Sequence, residues 1–408
     1  MKNEPSLITN SIEHHRKIIN DLDAQIVSLL NRRATEVFAI GKIKKEAGLA
    51  VHDPKRESLV LQKIRDLQMK SNDTPLTKDE MVNIYFKIID SFRSYEEVHN
   101  RGHESIQENE QGTKTFTKNL NVVFWGFGLM SGSFFLALQE HFPHWNFTAC
   151  DPFIQENEFQ QWTTERNANI KWLNTQEVPE SDILILGAPV KEIMQFIRSG
   201  KFKNAKVVID LGSVKGPILS EVEAYFKTEN TNSLNSKTES KVLFVGGHPL
   251  AGKEKSGYKH SDATLFYNKV FILNKEAHEV MQLVKVIGAI PFVVSADTHD
   301  RTLAASSHLL QILSTLLAIQ FSESEIDQNL CLLPGYSREV LRVSGSAFSM
   351  WEPIFTANKK NIVDEISKLT VALDKTKKWI EEGNMTGMRS LFEKANQFYK
   401  KIQETKLF

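Results

Sequence analysis

The sequence predicts three parts: an all-helical N-terminal domain of three helices, a central doubly wound parallel sheet, and a C-terminal helical domain suited to dimerisation. Three observations predict this α + α/β arrangement. Apolar residues recur at helical spacing through residues 9–96. From Leu120 onward, short apolar strands alternate with helical or loop segments, as in a parallel sheet buried on both faces. Beyond about Asp297 the apolar stripes are helical again, through 302–320, 350–373 and 386–403. The boundaries that follow are 1–98 for the first domain, 99–118 for a linker, 119–296 for the sheet domain and 297–408 for the last.

The first helix is expected from about Ser11 to Lys45, with Ile18, Leu22, Ile26, Leu29, Leu30 and Val37 on one stripe and Gly41 inside it at some cost in propensity. AGLAVHDP breaks the pattern, a second helix starts near Lys55, and a third follows Pro75–Thr77 and ends near Glu97. HNRGHESIQENEQGTKTFTKN has no periodicity and reads as the linker. The expected strands are NVVFW, WNFTACD, DILILGA, AKVVIDLG and KVLFVGG. TENTNSLNSKTES, 228–240, reads as a polar surface insertion.

Composition narrows the function. The 50 Lys and Arg balance the 50 Asp and Glu, so no basic surplus points to nucleic acid. The two cysteines, Cys150 and Cys331, make no disulfide framework, and a reducing cytoplasm is the expected home. No signal peptide is read at the N-terminus and no membrane span is expected, since no stretch approaches about 18 uninterrupted apolar residues. No metal site is read.

GFGLMSG, 126–132, follows the strand NVVFW and opens the helical segment SGSFFLALQ. Glycines there let backbone amides approach a pyrophosphate at a helix N-terminus, which makes the sheet Rossmann-like. Asp151 ends the next strand, 19 residues after Gly132, where an acceptor for a ribose 2′-hydroxyl belongs. A carboxylate repels a 2′-phosphate, so NAD is expected rather than NADP. The expected cofactor contacts are Gly126, Phe127, Gly128, Leu129, Met130 and Asp151, with Ala188 and Pro189 after DILILGA.

GGHPLAGKEKSG, 246–257, follows the run Lys241–Val245, so His248 falls where a strand is expected to end. In open α/β sheets that edge carries the chemistry, and histidine is the side chain that titrates near neutral pH. In the first helix, Arg33 and Lys44 share a face about 16 Å apart, while Arg16 lies about 42 Å from Lys44. All three can bind one small anion only if a second copy of the helix contributes. Solvated surface cations are the bland reading of the same pattern.

RKIINDLDAQIVSLLNRRATEVFAIGKIK followed by HDPKRE resembles the all-helical chorismate mutases over nearly all of 11–97. GFGLMSGS, DLGSVKG (210–216), GGHPLAGKEKSG, SSHLL (306–310) and REVLRVSGSAFSMW (338–351) resemble prephenate dehydrogenases from Asn121 to about Leu373. The resemblance implies a homodimeric fusion of the two, acting on chorismate and prephenate with NAD, with tyrosine as a feedback inhibitor. For the mutase it implies that Arg16 of a second copy, Arg33, Arg56 and Lys44 hold the carboxylates and ether oxygen, that Glu96 also meets the ether oxygen, and that Asp53 and Glu57 meet the ring hydroxyl. For the dehydrogenase it implies His248 as base, Ser213 orienting it, Arg342 and Arg338 as carboxylate clamp, His308 in the substrate pocket and Glu254 as a gate.

Two departures from the family stand in this chain. Relatives often have a serine four residues before Glu96, where Phe92 stands here, and a second histidine where Gln311 stands. A dehydrogenase with a weak, merely dimerising mutase-like domain, acting on prephenate or its amino analogue arogenate, is therefore the alternative. A non-catalytic NAD-binding regulator is a further rival, which the retained His248, Ser213 and Arg342 oppose. An ionised Glu96 has no proton to give an ether oxygen. It is expected to work protonated, so mutase activity should fall as pH rises; a flat pH profile for chorismate loss contradicts this.

Overall fold

The computed structural model describes residues 4–46, 54–70, 75–89, 116, 118–175, 177–232, 242–253 and 255–404. The chain divides into two compact units, Met1–Gln111 and Gly112–Phe408. Asp53, Phe92 and Glu96, the linker through residue 115 and most of the 228–240 insertion lie outside the described residues.

The first unit is helical. α1 spans Glu4–Glu46, α2 Pro54–Lys70 and α3 residues 78–89. α1 starts seven residues earlier than the Ser11 that periodicity suggested. α3 begins in a capping box. The Glu80 carboxylate accepts from the Thr77 N–H at 2.8 Å, and the Thr77 hydroxyl accepts from the Glu80 N–H at 3.2 Å. Along α1 the apolar stripe Ile18, Leu22, Ile26 and Leu29 is exposed.

The second unit is built on one eight-stranded sheet, ordered β3-β2-β1-β4-β5-β6-β7-β8. The strands are β1 Asn121–Trp125, β2 Asn146–Cys150, β3 Lys171–Leu173, β4 Ser181–Leu186, β5 Ala205–Asp210, β6 Leu243–Pro249, β7 Val270–Leu273 and β8 Ile290–Val293. All neighbours run parallel except β6 and β7. Alternate residues of each strand enter opposite cores, as a period of two requires. Val122, Phe124, Ile183, Ile185 and Ile209 meet α4 (Leu129–His141), α5 (Glu156–Glu165) and α8 (His278–Val286). Val123, Trp125, Leu184, Leu186 and Val208 meet α6 (Val190–Arg198) and α7 (Gly216–Asn232). Strand order reverses between β1 and β4, so a crevice opens where both end.

β3, β7 and β8 are too short, three or four residues each, to stand out by pattern. β6 runs on through His248 to Pro249 instead of stopping at Val245. The cause is β7, which pairs antiparallel with Gly247, His248 and Pro249. A Cβ on Gly247 would lie 2.8 Å from the Asp210 carbonyl oxygen, so glycine is required for β6 to approach β5 so closely.

The helical end of the unit comprises α9 (Ala296–Leu303), α10 (Leu309–Ser322), α11 (Gly335–Arg342), α12 (Phe348–Ala357), α13 (Lys359–Glu381) and α14 (Met385–Glu404). The Ser295 hydroxyl caps α9 by accepting from the Thr298 N–H at 3.2 Å. A π-helical turn over Ala304–His308 joins α9 to α10. The joined helix Ala296–Ser322 has the length and composition of a membrane span, a match that the core helix of a globular domain can also make. Along it His299, Asp300, His308, Gln311 and Ser314 are buried polar side chains.

One buried ion pair ties the carboxyl edge of the sheet together. Lys215, just before α7, pairs with Asp210 at the end of β5, and both side chains are fully buried. The same ammonium donates to the Gly247 carbonyl on β6 at 2.6 Å. Burial pushes each group toward its neutral form, and the opposite charge of the partner resists it. Removing one member of such a pair strands the other. Lys215→Met should lower unfolding free energy by about 3–5 kcal/mol, and adding Asp210→Leu should recover much of it. Urea unfolding checks this, and a Lys215→Met variant as stable as the parent contradicts it.

Candidate active site

The glycine loop lies at the crevice between β1 and β4. Gly126 has φ +80°, which favours glycine, and a Cβ there would lie 2.8 Å from the Ala188 backbone nitrogen. The Gly187 N–H donates to the Trp125 carbonyl at 2.9 Å and locks the two strand ends together. Gly128 is the N-cap of α4; no side chain caps the helix there, and a Cβ on Gly128 would meet nothing within 4 Å. The first-turn amides of α4 are therefore open to an anion. Asp151 stands beside them, accepting from the Phe127 N–H at 2.8 Å and the Phe153 N–H at 2.9 Å. An open glycine cradle beside a fixed carboxylate fits the phosphates and ribose of a dinucleotide.

The remaining expected cofactor contacts divide. Leu129 and Met130 are half-buried in the first turn of α4. Ala188 and Pro189 cover the opposite lip, with Pro189 as the N-cap of α6. The Phe127 side chain is a correction: it is buried among Phe159, Trp162 and Tyr258 and offers the site only its backbone. Large aromatic area drives it into the core.

His248 sits near the end of β6 with its ring Nδ1 2.9 Å from His299 Nε2. Burial drives its pKa well below the ordinary histidine value; the charges of His299, Lys215 and His308 push the same way. His248 is therefore a neutral imidazole at neutral pH, the form that accepts a proton. Among the described residues no hydrogen bond joins Ser213 to His248, and the partner of the His248 Nδ1 is His299. The contact expected of Ser213 is made instead by His299. The difference has a geometric cause: Ser213 follows β5, whereas the capped helix α9 delivers His299 directly to the ring.

His308 is buried behind this pair, with Nδ1 3.2 Å from Asn358 Nδ2, and burial lowers its pKa to about 4. Arg342 lines a cavity of about 1040 Å³ with Arg166, Lys253, Lys255, Lys259 and His260. His248 is not among its walls. Arg342 approaches Glu339 at 3.7 Å on its own helix, and Arg338 is exposed on the same helix. The structure therefore places Arg342 at a cationic cavity whose walls include neither Arg338 nor His248. Glu254 lies outside the described residues.

In the helical unit, Arg16 is exposed and paired with Glu13 of its own helix at 2.7 Å. Arg33 is partly buried, which lowers its pKa, while the Tyr85 side chain on α3 acts in the opposite direction. Lys44 and Glu57 are half-buried and Arg56 is exposed, near the facing ends of α1 and α2 in sequence. Arg16 cannot join Arg33 and Lys44 along the single continuous helix that α1 forms.

Sequence reasoning missed Asp210, Lys215, His299, Asp300 and Asn358. DLGSVKG contained the first two but was read for its serine. The dipeptide His299-Asp300, on a helix whose other polar residues face outward, was the available signal for the next two.

Comparisons with known proteins agree with this arrangement. Residues 15–97 match the model of chorismate mutase type II. Residues 153–291 match the nucleotide-binding domain of prephenate dehydrogenase, and residues 295–394 its dimerization domain. The glycine loop and Asp151 precede the matched segments, so their assignment rests on the geometry above. A prephenate dehydrogenase of Lactococcus lactis is 27% identical over 281 residues, 68% of this chain and 75% of that protein. A bifunctional chorismate mutase/prephenate dehydratase of Aquifex aeolicus is 34% identical over 113 residues, 28% of this chain and 29% of that one. Among solved structures, prephenate dehydrogenase from A. aeolicus with hydroxyphenyl propionate and NAD+ is similar in fold, with TM-score 0.58 and 22% identity, over 70% of this chain and 99% of that one. Synechocystis arogenate dehydrogenase has TM-score 0.55 and 17% identity over 69% and 99%. The chain belongs to the prephenate dehydrogenase family and carries a chorismate mutase type II domain ahead of the dehydrogenase's nucleotide-binding and dimerization domains.

Proposed function

We propose that the chain catalyses two successive reactions, the rearrangement of chorismate to prephenate and the NAD-dependent oxidative decarboxylation of prephenate to 4-hydroxyphenylpyruvate. The dehydrogenase reading is carried by His248, a half-buried neutral imidazole held at one nitrogen, at the sheet edge that also carries the glycine loop. NAD bound at that loop supplies the hydride acceptor. His248 takes the proton of the ring hydroxyl as the carbon bearing it gives up hydride. The ring carboxylate leaves as carbon dioxide, and its electron pair passes through the ring to the oxygen. His248 then returns the proton to that oxygen, so the histidine ends neutral. The cationic cavity with Arg342 attracts the dianionic substrate toward this edge.

The mutase needs no covalent step. Cations that hold a chair-like conformer and stabilise charge on the breaking ether bond are sufficient. Arg33 and Lys44 of one α1, with Arg56 and Glu57 of α2, are the proposed set, and Arg16 comes from a second copy. The exposed stripe Ile18, Leu22, Ile26 and Leu29 supports such pairing of chains, because an uncovered apolar helix face favours association. A homodimer is therefore part of this proposal, and the matched dimerization domain supports it.

The two chemistries separate in one experiment. Purified protein given chorismate alone should consume it, and adding NAD should then produce NADH. His248→Asn should lower NADH formation from prephenate by at least about 100-fold, the usual span for a general base, while chorismate loss stays unchanged. Parallel loss of both activities contradicts separate sites, and NADH formation with no loss of chorismate before NAD is added contradicts the mutase.

A further inference from the structure

His248 hangs from a chain of hydrogen bonds whose far end is fixed by backbone. Asp300 accepts from the Lys215 N–H at 2.8 Å and from His299 Nδ1 at 2.7 Å through one oxygen, and from the Gly216 N–H at 2.7 Å through the other. Two of these donors are main-chain amides at the start of α7 and cannot exchange roles. The carboxylate therefore acts as an acceptor toward His299, so His299 Nδ1 bears the hydrogen. Its Nε2 is then a lone pair, and His248 Nδ1, 2.9 Å away, must be the donor. What is left on His248 is an unprotonated Nε2. Asn358 steadies the same corner, its amide donating to the Asp300 carbonyl at 2.7 Å.

We propose that His299 and Asp300 are positioning residues of the dehydrogenase: they fix His248 in the tautomer whose Nε2 is the base, and they carry part of the positive charge when that nitrogen takes the substrate's proton. This rests on the reading of His248 as the base. The problem it solves is physical. A half-buried imidazole whose surroundings desolvate it resists becoming a cation. The groups facing His248 are His299 from α9, Lys215 from the start of α7 and, behind them, His308. The charge of Lys215 is opposed by Asp210. The remaining anion is Asp300, and it touches His299, not His248. When His248 is protonated at Nε2, its Nδ1 proton can shift toward His299 Nε2, which leaves the charge beside the Asp300 carboxylate. No bond other than N–H is made or broken, and the proton returns by the same route when the product oxygen reclaims it.

The test uses the full-length protein and three variants, His299→Leu, His299→Gln and Asp300→Asn, beside His248→Asn. A glutamine oxygen at position 299 can accept from His248 Nδ1 but cannot hold a proton. The expected results are as follows. His299→Leu lowers kcat by about 100-fold or more with KM for prephenate changed less than about threefold, since a wrongly held tautomer is that costly in related relays. His299→Gln recovers at least about tenfold of that loss, consistent with restored tautomer control.

The sign of the pH effect is fixed by the charge. With Gln or with Asp300→Asn, the protonated form of the base loses its stabilisation, so the acid limb of kcat/KM moves to lower pH. A purely structural role would lower the rate at every pH without moving that limb. Nitrogen-15 NMR of the wild-type protein, with the His248 signal identified by its loss in His248→Asn, should show a proton on Nδ1 and none on Nε2.

The opposite tautomer, a His299→Leu rate within about threefold of wild type, or an unmoved acid limb in His299→Gln overturns the proposal. Full activity in His248→Asn overturns instead the reading on which it rests.

Discussion

The buried pair of Lys215 and Asp210 is the constraint on which the dehydrogenase half depends. Its ammonium spans the ends of β5 and β6, and the backbone beside it begins α7. In one place it sets the spacing of two strands and the start of a helix. A buried charge pair gains little net stability over a well-packed apolar substitute, because desolvation offsets most of the attraction. Its value here is geometric. An apolar pair would not hold the Gly247 carbonyl at a fixed distance, and it would not dictate where the amides of Lys215 and Gly216 point.

That geometry passes outward to the chemistry. The amides of Lys215 and Gly216 orient Asp300, Asp300 holds His299, and His299 holds His248. On the other side of the sheet's switch point, Gly126 permits the close approach of β1 and β4 that leaves the α4 amides open. The fold thus brings a hydride acceptor's cradle and a proton acceptor to one edge using backbone contacts that few side chains can disturb. The helical unit works by a different logic. Its cations lie on helices, and α1 is one continuous helix that keeps Arg16 far from the Lys44 end, so the chemistry there asks for a second chain.

Much of this was legible in the sequence, for reasons that also explain what was not. Strands such as DILILGA and AKVVIDLG announce themselves because a strand buried on both faces must be apolar throughout. GFGLMSG announces itself because a helix that begins on a phosphate needs glycine. His248 was legible by its place after an apolar strand, although β6 in fact continues through it. β7 and β8 were hidden, because four residues carry too little pattern to separate strand from loop. Lys215 and Asp300 were hidden for another reason: a buried charge looks like a surface charge until its partner is known, and each partner here lies on a different element. Ser213 drew attention as the motif's hydroxyl, while the side chain that bonds His248 came from a helix 51 residues beyond His248 itself.

The central claim is that the sheet edge at His248 receives the reacting ring of the substrate, with the cofactor across from it. A crystal structure of the full chain with NAD and a phenolic product analogue tests it most directly. The account predicts the analogue's ring hydroxyl within about 2.6–3.2 Å of His248 Nε2, with the pyrophosphate at the amides of Leu129 and Met130. A phenol seated in the cationic cavity beside Arg342, with its hydroxyl out of reach of His248, contradicts it.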